Sequence, residues 1–163
     1  MSWNVEIALV LQIVGIASVA ILPRMAAELL GLDVGGANLK AASSLGVALS
    51  RPFAFWKHPE RLADELRELL KAMPPSDRLA VTMTGELCDC FETKRTGVNA
   101  ILDAVDAVAG SRPVFVWHAP GNFSDVATAR QRTLQVAAAN WLALGTFAGR
   151  LAREGSAIVI DIG

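Results

Sequence analysis

The chain has 163 residues, 53% of them hydrophobic and 19% charged, and a formal net charge of −1. That length fits one domain with a real core. The balance of 15 basic against 16 acidic residues excludes nucleic acid as the expected partner, because a phosphate backbone rewards clustered Lys and Arg.

The first feature in chain order is an almost continuous apolar run, residues 5–22, broken mainly by Glu6 and Gln12. It sits at the lower edge of the roughly 17 to 25 residues that span a bilayer. No positive charge precedes it and no Ala-x-Ala site follows, which argues against a secretory signal. A membrane anchor, a buried extra helix and a stretch foreign to the domain remain three readings of residues 1–24. Any membrane association would have to run through residues 5–22. Met25 is a natural start for a cytoplasmic domain, and 25–156 is expected to form one lobe.

From residue 28 the pattern becomes regular. The stretches 28–35, 38–46 and 47–56 read as three short strands, with Gly46 at the second turn. Pro59 opens a helix over 59–73, where Leu62, Leu66, Leu69 and Leu70 recur at helical spacing and Glu, Asp and Arg fill the other face. The β-branched run 78–85 predicts a strand. Residues 98–110 predict a helix that buries Val98, Ile101, Leu102, Val105 and Val108 and stops at Gly110. A strand over 112–119, a long helix over 134–154 and a final strand over 156–163 complete the series.

This is an α/β order, β-β-β-α-β-α-β-α plus one more strand, and it predicts a mixed sheet covered by helices. It is the order of a ribonuclease-H-like half of the actin-like ATPase fold, in which two such halves face one cleft. Residues 157–163 would then be the first strand of a second half, and the chain is expected to be truncated there.

Three stretches could carry chemistry. In Asp33-Val34-Gly35-Gly36-Ala37-Asn38-Leu39-Lys40 the glycines allow close backbone approach, so amides can face phosphate oxygens while Asp33 orients a metal-bound water and Lys40 supplies charge. The spacing is neither a Walker A loop nor a dinucleotide fingerprint, since a strand follows it. A plain hairpin is the alternative. Asp161-Ile162-Gly163 repeats the pattern, and two aspartates from facing turns, Asp33 and Asp161, would hold one divalent cation.

The segment 81–98 is more polar than a connection needs, with Thr82, Thr84, Glu86, Asp89, Glu92, Thr93, Lys94 and Arg95 at the carboxyl end of a strand, where ligands of α/β sheets sit. A solvated loop with capping threonines is the alternative. Asn140 inside an apolar helix demands a partner and is expected to face the cleft. Cys88, Cys90, His58 and His118 make a poor zinc signature. The cysteines, one residue apart, predict a reducing compartment and a small buried thiol pair. His118 reads as hydrogen-bonded structure.

Together, GLDVGGANLKAA, VTMTGELCDCFETKRTGV, VAAANWLALGTFAGRLA and the terminal IVIDIG resemble the hydantoinase/oxoprolinase-like proteins of tetrahydromethanopterin-linked one-carbon metabolism, a group that includes a methanofuran-precursor synthase. The resemblance runs from about residue 28 to the last residue. It implies an enzyme that joins an aminomethylfuran diphosphate to the phenol of a glutamylated tyramine, with loss of pyrophosphate.

Carried onto this sequence, Asp33, Gly35, Gly36, Asn38 and Lys40 would form the first phosphate turn, and Asp161 and Gly163 would begin the second. Thr84, Gly85, Glu86, Asp89, Lys94 and Asn140 would line the substrate side, with Asp33, Asp161 and Glu86 catalytic. The implied cofactor is Mg2+, with ATP or an organic diphosphate as ligand and a small phosphorylated metabolite as partner. The fragment is expected to be inactive alone and to carry an exposed apolar face that favours a homo-oligomer. Two alternatives stand beside this reading. One is an ATP-dependent amidohydrolase or small-molecule kinase of the same superfamily; the other is a non-catalytic or membrane-tethered binding module.

Overall fold

The computed structural model describes residues 28–150 together with Gly155, Ser156, Ile158 and Ile160. The expected apolar segment 1–24 lies outside the described residues, as do five of the eight residues of the expected strand over 156–163, including Asp161 and Gly163. Among the described residues no helix is long and apolar enough to cross a membrane.

Six strands form one mixed sheet in the order β3-β2-β1-β4-β5-β6. They are β1 (Leu29–Val34), β2 (Asn38–Ser43), β3 (Ala48–Pro52), β4 (Arg78–Met83), β5 (Val114–His118) and β6 (Asn122–Ser124). The first three are antiparallel hairpin neighbours, while β1, β4 and β5 run parallel and β6 returns antiparallel along the edge. The predicted α/β class with a mixed sheet is what forms.

Strand alternation divides the sheet into two faces. Leu30, Leu32, Val34, Leu39, Ala41, Leu79, Val81, Met83 and Val116 point into the main core. Helix α1 (Leu62–Lys71) and helix α2 (Lys94–Ala109) cover that face and pack on each other. The opposite face carries a smaller cluster in which Trp117 meets Ala139, Ala143 and Phe147.

Helix α1 follows a 3-10 turn at Pro59–Arg61 and buries Leu62, Leu66 and Leu69 as the spacing predicts. One expectation fails here: Glu65 is not on the solvated face but is buried. Arg51 Nε and Arg61 Nη2 donate to its two oxygens at 2.8 and 2.6 Å, which offsets the cost of desolvating the carboxylate. Leu66 has no exposed surface, so Leu66→Ala is expected to lower the unfolding free energy by about 2 to 5 kcal/mol, read from urea melts. A loss below about 1 kcal/mol would mean that the core closes over the gap.

Helix α2 begins four residues earlier than the hydrophobic period suggests. Thr93 caps it, its hydroxyl accepting from Thr96 N–H at 3.1 Å, so the polar Lys94–Thr96 turn is already helical. Its far end is closed by Arg112, whose Nε and Nη2 donate to the carbonyls of Ala109 and Val108 at 2.8 and 2.7 Å.

Two further differences matter for the site. The third strand stops at Pro52 rather than running on to residue 56. Phe53 and Phe55 are buried, and their amides donate to the carbonyls of Ala37 and Gly36, both at 2.9 Å. The helix expected over 134–154 is broken into α4 (Thr133–Val136) and α5 (Asn140–Gly149), after a short α3 (Val126–Gln131) that the hydrophobic pattern does not announce. The break falls at Ala138, whose φ of 54° takes the chain out of helical geometry. Strand β6 was likewise not anticipated, being three residues of mixed polarity.

Candidate functional site

The glycine turn between β1 and β2 is built by its neighbours. Gly35 N–H donates to Asn38 O at 3.1 Å, closing the turn, while the carbonyls of Gly36 and Ala37 are held by residues 53–55. Because each peptide is planar and trans, the following amides of Ala37 and Asn38 point away from that segment. Both glycines sit at close approaches, Gly35 against main chain and Gly36 against a side chain. A Cβ on Gly35 would stand 2.9 Å from Asn38 O, and one on Gly36 would stand 2.8 Å from Cys88 Sγ.

Asp33 and Lys40 flank this turn. They are direct cross-strand partners, and Lys40 Nζ lies 3.5 Å from Asp33 Oδ2 with both side chains mostly covered. On its other side Asp33 is in register with Thr82 of β4, so Lys40, Asp33 and Thr82 form one row on the face opposite the main core. Thr82 is buried, and its hydroxyl has no hydrogen-bond partner among the described residues.

Past β4 the chain folds against the glycine turn. Thr84 N–H donates to Val34 O at 3.0 Å, and Thr84 Oγ1 lies 3.8 Å from where a Gly35 Cβ would stand. Gly85 begins a 3-10 turn that ends at the exposed Leu87, with Gly85 and Glu86 buried. Glu86 is only 2% exposed, a rare position for a carboxylate that has no salt bridge among the described residues. Its Oε1 accepts from Ala138 N–H at 2.7 Å, while Oε2 is buried with no hydrogen-bond partner among the described residues. Burial pushes the Glu86 carboxyl above its ordinary value, and the charge of Asp33 pushes the same way; the hydrogen bond from Ala138 N–H and the charge of Lys94 oppose this.

The structure thus brings Asp33, Gly35, Gly36, Lys40, Thr84, Gly85 and Glu86 to one end of the sheet, with Asn38 closing the turn. Lys94, exposed at the start of α2, is close enough to Glu86 to act on its charge. Asp89 is exposed beyond the 3-10 turn. Asn140 is the first residue of α5 rather than a helix-interior residue. Its Oδ1 is buried without a hydrogen-bond partner among the described residues, two residues past the Ala138 amide.

The buried thiol pair is corrected. Cys88 is half-buried against Gly36, while Cys90, two residues on, is exposed. Burial pushes the Cys88 thiol above its ordinary value. Among the described residues no group of three or more His, Cys, Asp or Glu could hold a metal ion by itself. His118 is buried at the end of β5, its Nδ1 2.8 Å from Ala119 O, in keeping with its reading as hydrogen-bonded structure.

Sequence reasoning missed two residues that shape the site. Ala138 supplies the amide that holds Glu86, and nothing in its apolar surroundings marks it. Gly97 lies within α2 against the Glu86 main chain, and a glycine just inside a capped helix is the signal that could have found it.

Residues 77–163 match the model of the hydantoinase/oxoprolinase family, just over half of the sequence, and the chain belongs to that family. It is also 37% identical over 139 residues to a (4-{4-[2-(gamma-L-glutamylamino)ethyl]phenoxymethyl}furan-2-yl)methanamine synthase of Methanocaldococcus jannaschii. That match covers 83% of this chain and 40% of the relative, so the chain spans less than half the length of the synthase. The family expected from the GLDVGG, MTGELCDC and IVIDIG stretches is borne out.

Proposed function

We propose that this chain supplies one lobe of a cytoplasmic synthase that displaces a diphosphate, forming an aryl ether between an aminomethylfuran diphosphate and a phenol. The observation that carries the reading is the juxtaposition of two unlike groups. A glycine turn flanked by the Asp33–Lys40 pair meets a buried carboxylate, Glu86, one oxygen of which has no hydrogen-bond partner among the described residues. The strand order, with β3-β2-β1 antiparallel and β1-β4-β5 parallel, supports a ribonuclease-H-like half of the actin-like ATPase fold.

In this mechanism the diphosphate lies on the turn, facing the amides after Gly36, while Lys40 offsets its charge. Glu86 Oε2 receives the phenolic proton as the phenol oxygen bonds to the furfuryl carbon and the bond from that carbon to the diphosphate oxygen breaks. Burial suits Glu86 to this role, since it raises the carboxylate's affinity for a proton. Mg2+ binds through one or two carboxylates plus substrate phosphates rather than in an all-protein cage. Asp33, at the turn and in register with Thr82, whose hydroxyl has no hydrogen-bond partner among the described residues, fits that donor chemistry, and the ion would neutralise charge on the departing diphosphate.

The family match also favours a second reading, an ATP-dependent amidohydrolase of the hydantoinase/oxoprolinase type. Calorimetric titration of the chain with pyrophosphate or ATP, each with magnesium, separates the two. Saturable binding of pyrophosphate that ATP does not exceed supports the synthase. Preference for ATP, or no pyrophosphate binding at all, overturns it.

A further inference from the structure

We infer that Gly97 is a positioning residue of the reaction: its missing side chain is what fixes the Glu86 carboxylate beside the phosphate turn. The inference rests on the proposed role of Glu86 as base and deepens it.

Glycine is disfavoured inside a helix, and Gly97 is the fourth residue of α2, already bonded through its N–H to Thr93 O at 3.1 Å. The space around it explains its presence. A Cβ built there would lie 2.8 Å from each of Glu86 Cα, Cβ and O. These are main-chain and stem atoms, not the far end of a flexible side chain, so the 85–87 turn would have to move as a body.

Glu86 is gripped again at its other end. The Ala138 amide holds Oε1 at 2.7 Å, from a residue whose positive φ is uncommon outside glycine. Two segments far apart in sequence therefore clamp one side chain, one from beneath its backbone and one at its tip. The charges facing it are Asp33 from β1 and Lys94 from α2. Clamping leaves Oε2 as the carboxylate oxygen with no hydrogen-bond partner among the described residues and fixes where it points.

The test uses enzyme made from the complete reading frame that encodes these residues. Gly97→Ala is expected to lower kcat about a hundredfold while KM for the diphosphate substrate stays within about threefold, because misplacing a catalytic group by about 1 Å costs that much. An unchanged kcat in a folded Gly97→Ala protein overturns the inference, as does a loss that appears in KM alone.

Should Gly97→Ala fail to fold, Glu86→Asp carries the test without touching the Gly97 contact. With the turn pinned, the shorter side chain cannot advance, so kcat should stay within about threefold of Glu86→Gln. Recovery by Glu86→Asp to more than about a tenth of wild-type kcat shows a turn free to adjust and overturns the inference. If Glu86→Gln itself keeps full kcat, the role of Glu86 fails, a result distinct from a silent Gly97→Ala beside a dead Glu86→Gln.

Discussion

Glu86→Gln is expected to reduce kcat by about a hundredfold to ten-thousandfold, the range that a positioned general base contributes, while leaving the fold intact. The fold should survive because Gln keeps the acceptor that Ala138 N–H uses, and the oxygen it replaces has no protein partner among the described residues. Stability should change in a defined direction. The Glu86 carboxyl is raised above its unfolded value by burial, so the folded state holds its proton more tightly than the unfolded chain does. Its contribution is therefore full below the ordinary glutamate pKa and is lost as pH rises through the raised folded value. Glutamine does not titrate, so the melting temperature of Glu86→Gln relative to wild type should climb as pH rises from the ordinary glutamate pKa through the raised folded value. Parallel melting curves across that range, or full activity in the variant, would remove Glu86 from the chemistry.

The second large effect concerns the glycine turn. Gly36→Val should abolish saturable pyrophosphate binding, because its Cβ would stand 2.8 Å from Cys88 Sγ and its branches would occupy the approach to the turn amides. Lys40→Ala should weaken binding about tenfold to a hundredfold, the usual worth of a charged donor to a phosphate. The thiol offers an internal control. If Gly36→Ala weakens binding only by crowding Cys88, then adding Cys88→Ala should restore it. If the glycine serves the phosphate directly, the double variant should stay impaired. Calorimetric titration of the four proteins with pyrophosphate and magnesium reads all of these outcomes.

Most of the frame was legible in the sequence because strand and helix periods are local. Leu62, Leu66 and Leu69 of α1 and Val98, Ile101, Leu102 and Val105 of α2 are buried where their spacing put them, with Leu70 and Val108 half-buried at the margins. Legibility failed where a single distant contact overrides local pattern. Residues 134–154 read as one helix because every residue there tolerates it, yet a buried carboxylate 52 positions away captures the Ala138 amide and the chain turns out of the helix. Glu65 read as solvent-facing because its arginine partner on β3 is invisible to a helical wheel. Within the site, the Asp33–Lys40 pair follows from hairpin register, and Glu86 stood out as polar at a strand's carboxyl end. That Glu86 is buried, and what holds it there, depends on Gly97 and Ala138, whose roles exist only after folding.

The most direct test follows the products of the complete reading frame supplied with an aminomethylfuran diphosphate, a glutamylated tyramine and magnesium. Release of one pyrophosphate per aryl ether formed, lost in Glu86→Gln and in Gly36→Val, is the predicted result. Turnover that consumes ATP and releases ADP, or ether formation that survives both substitutions, would contradict the account.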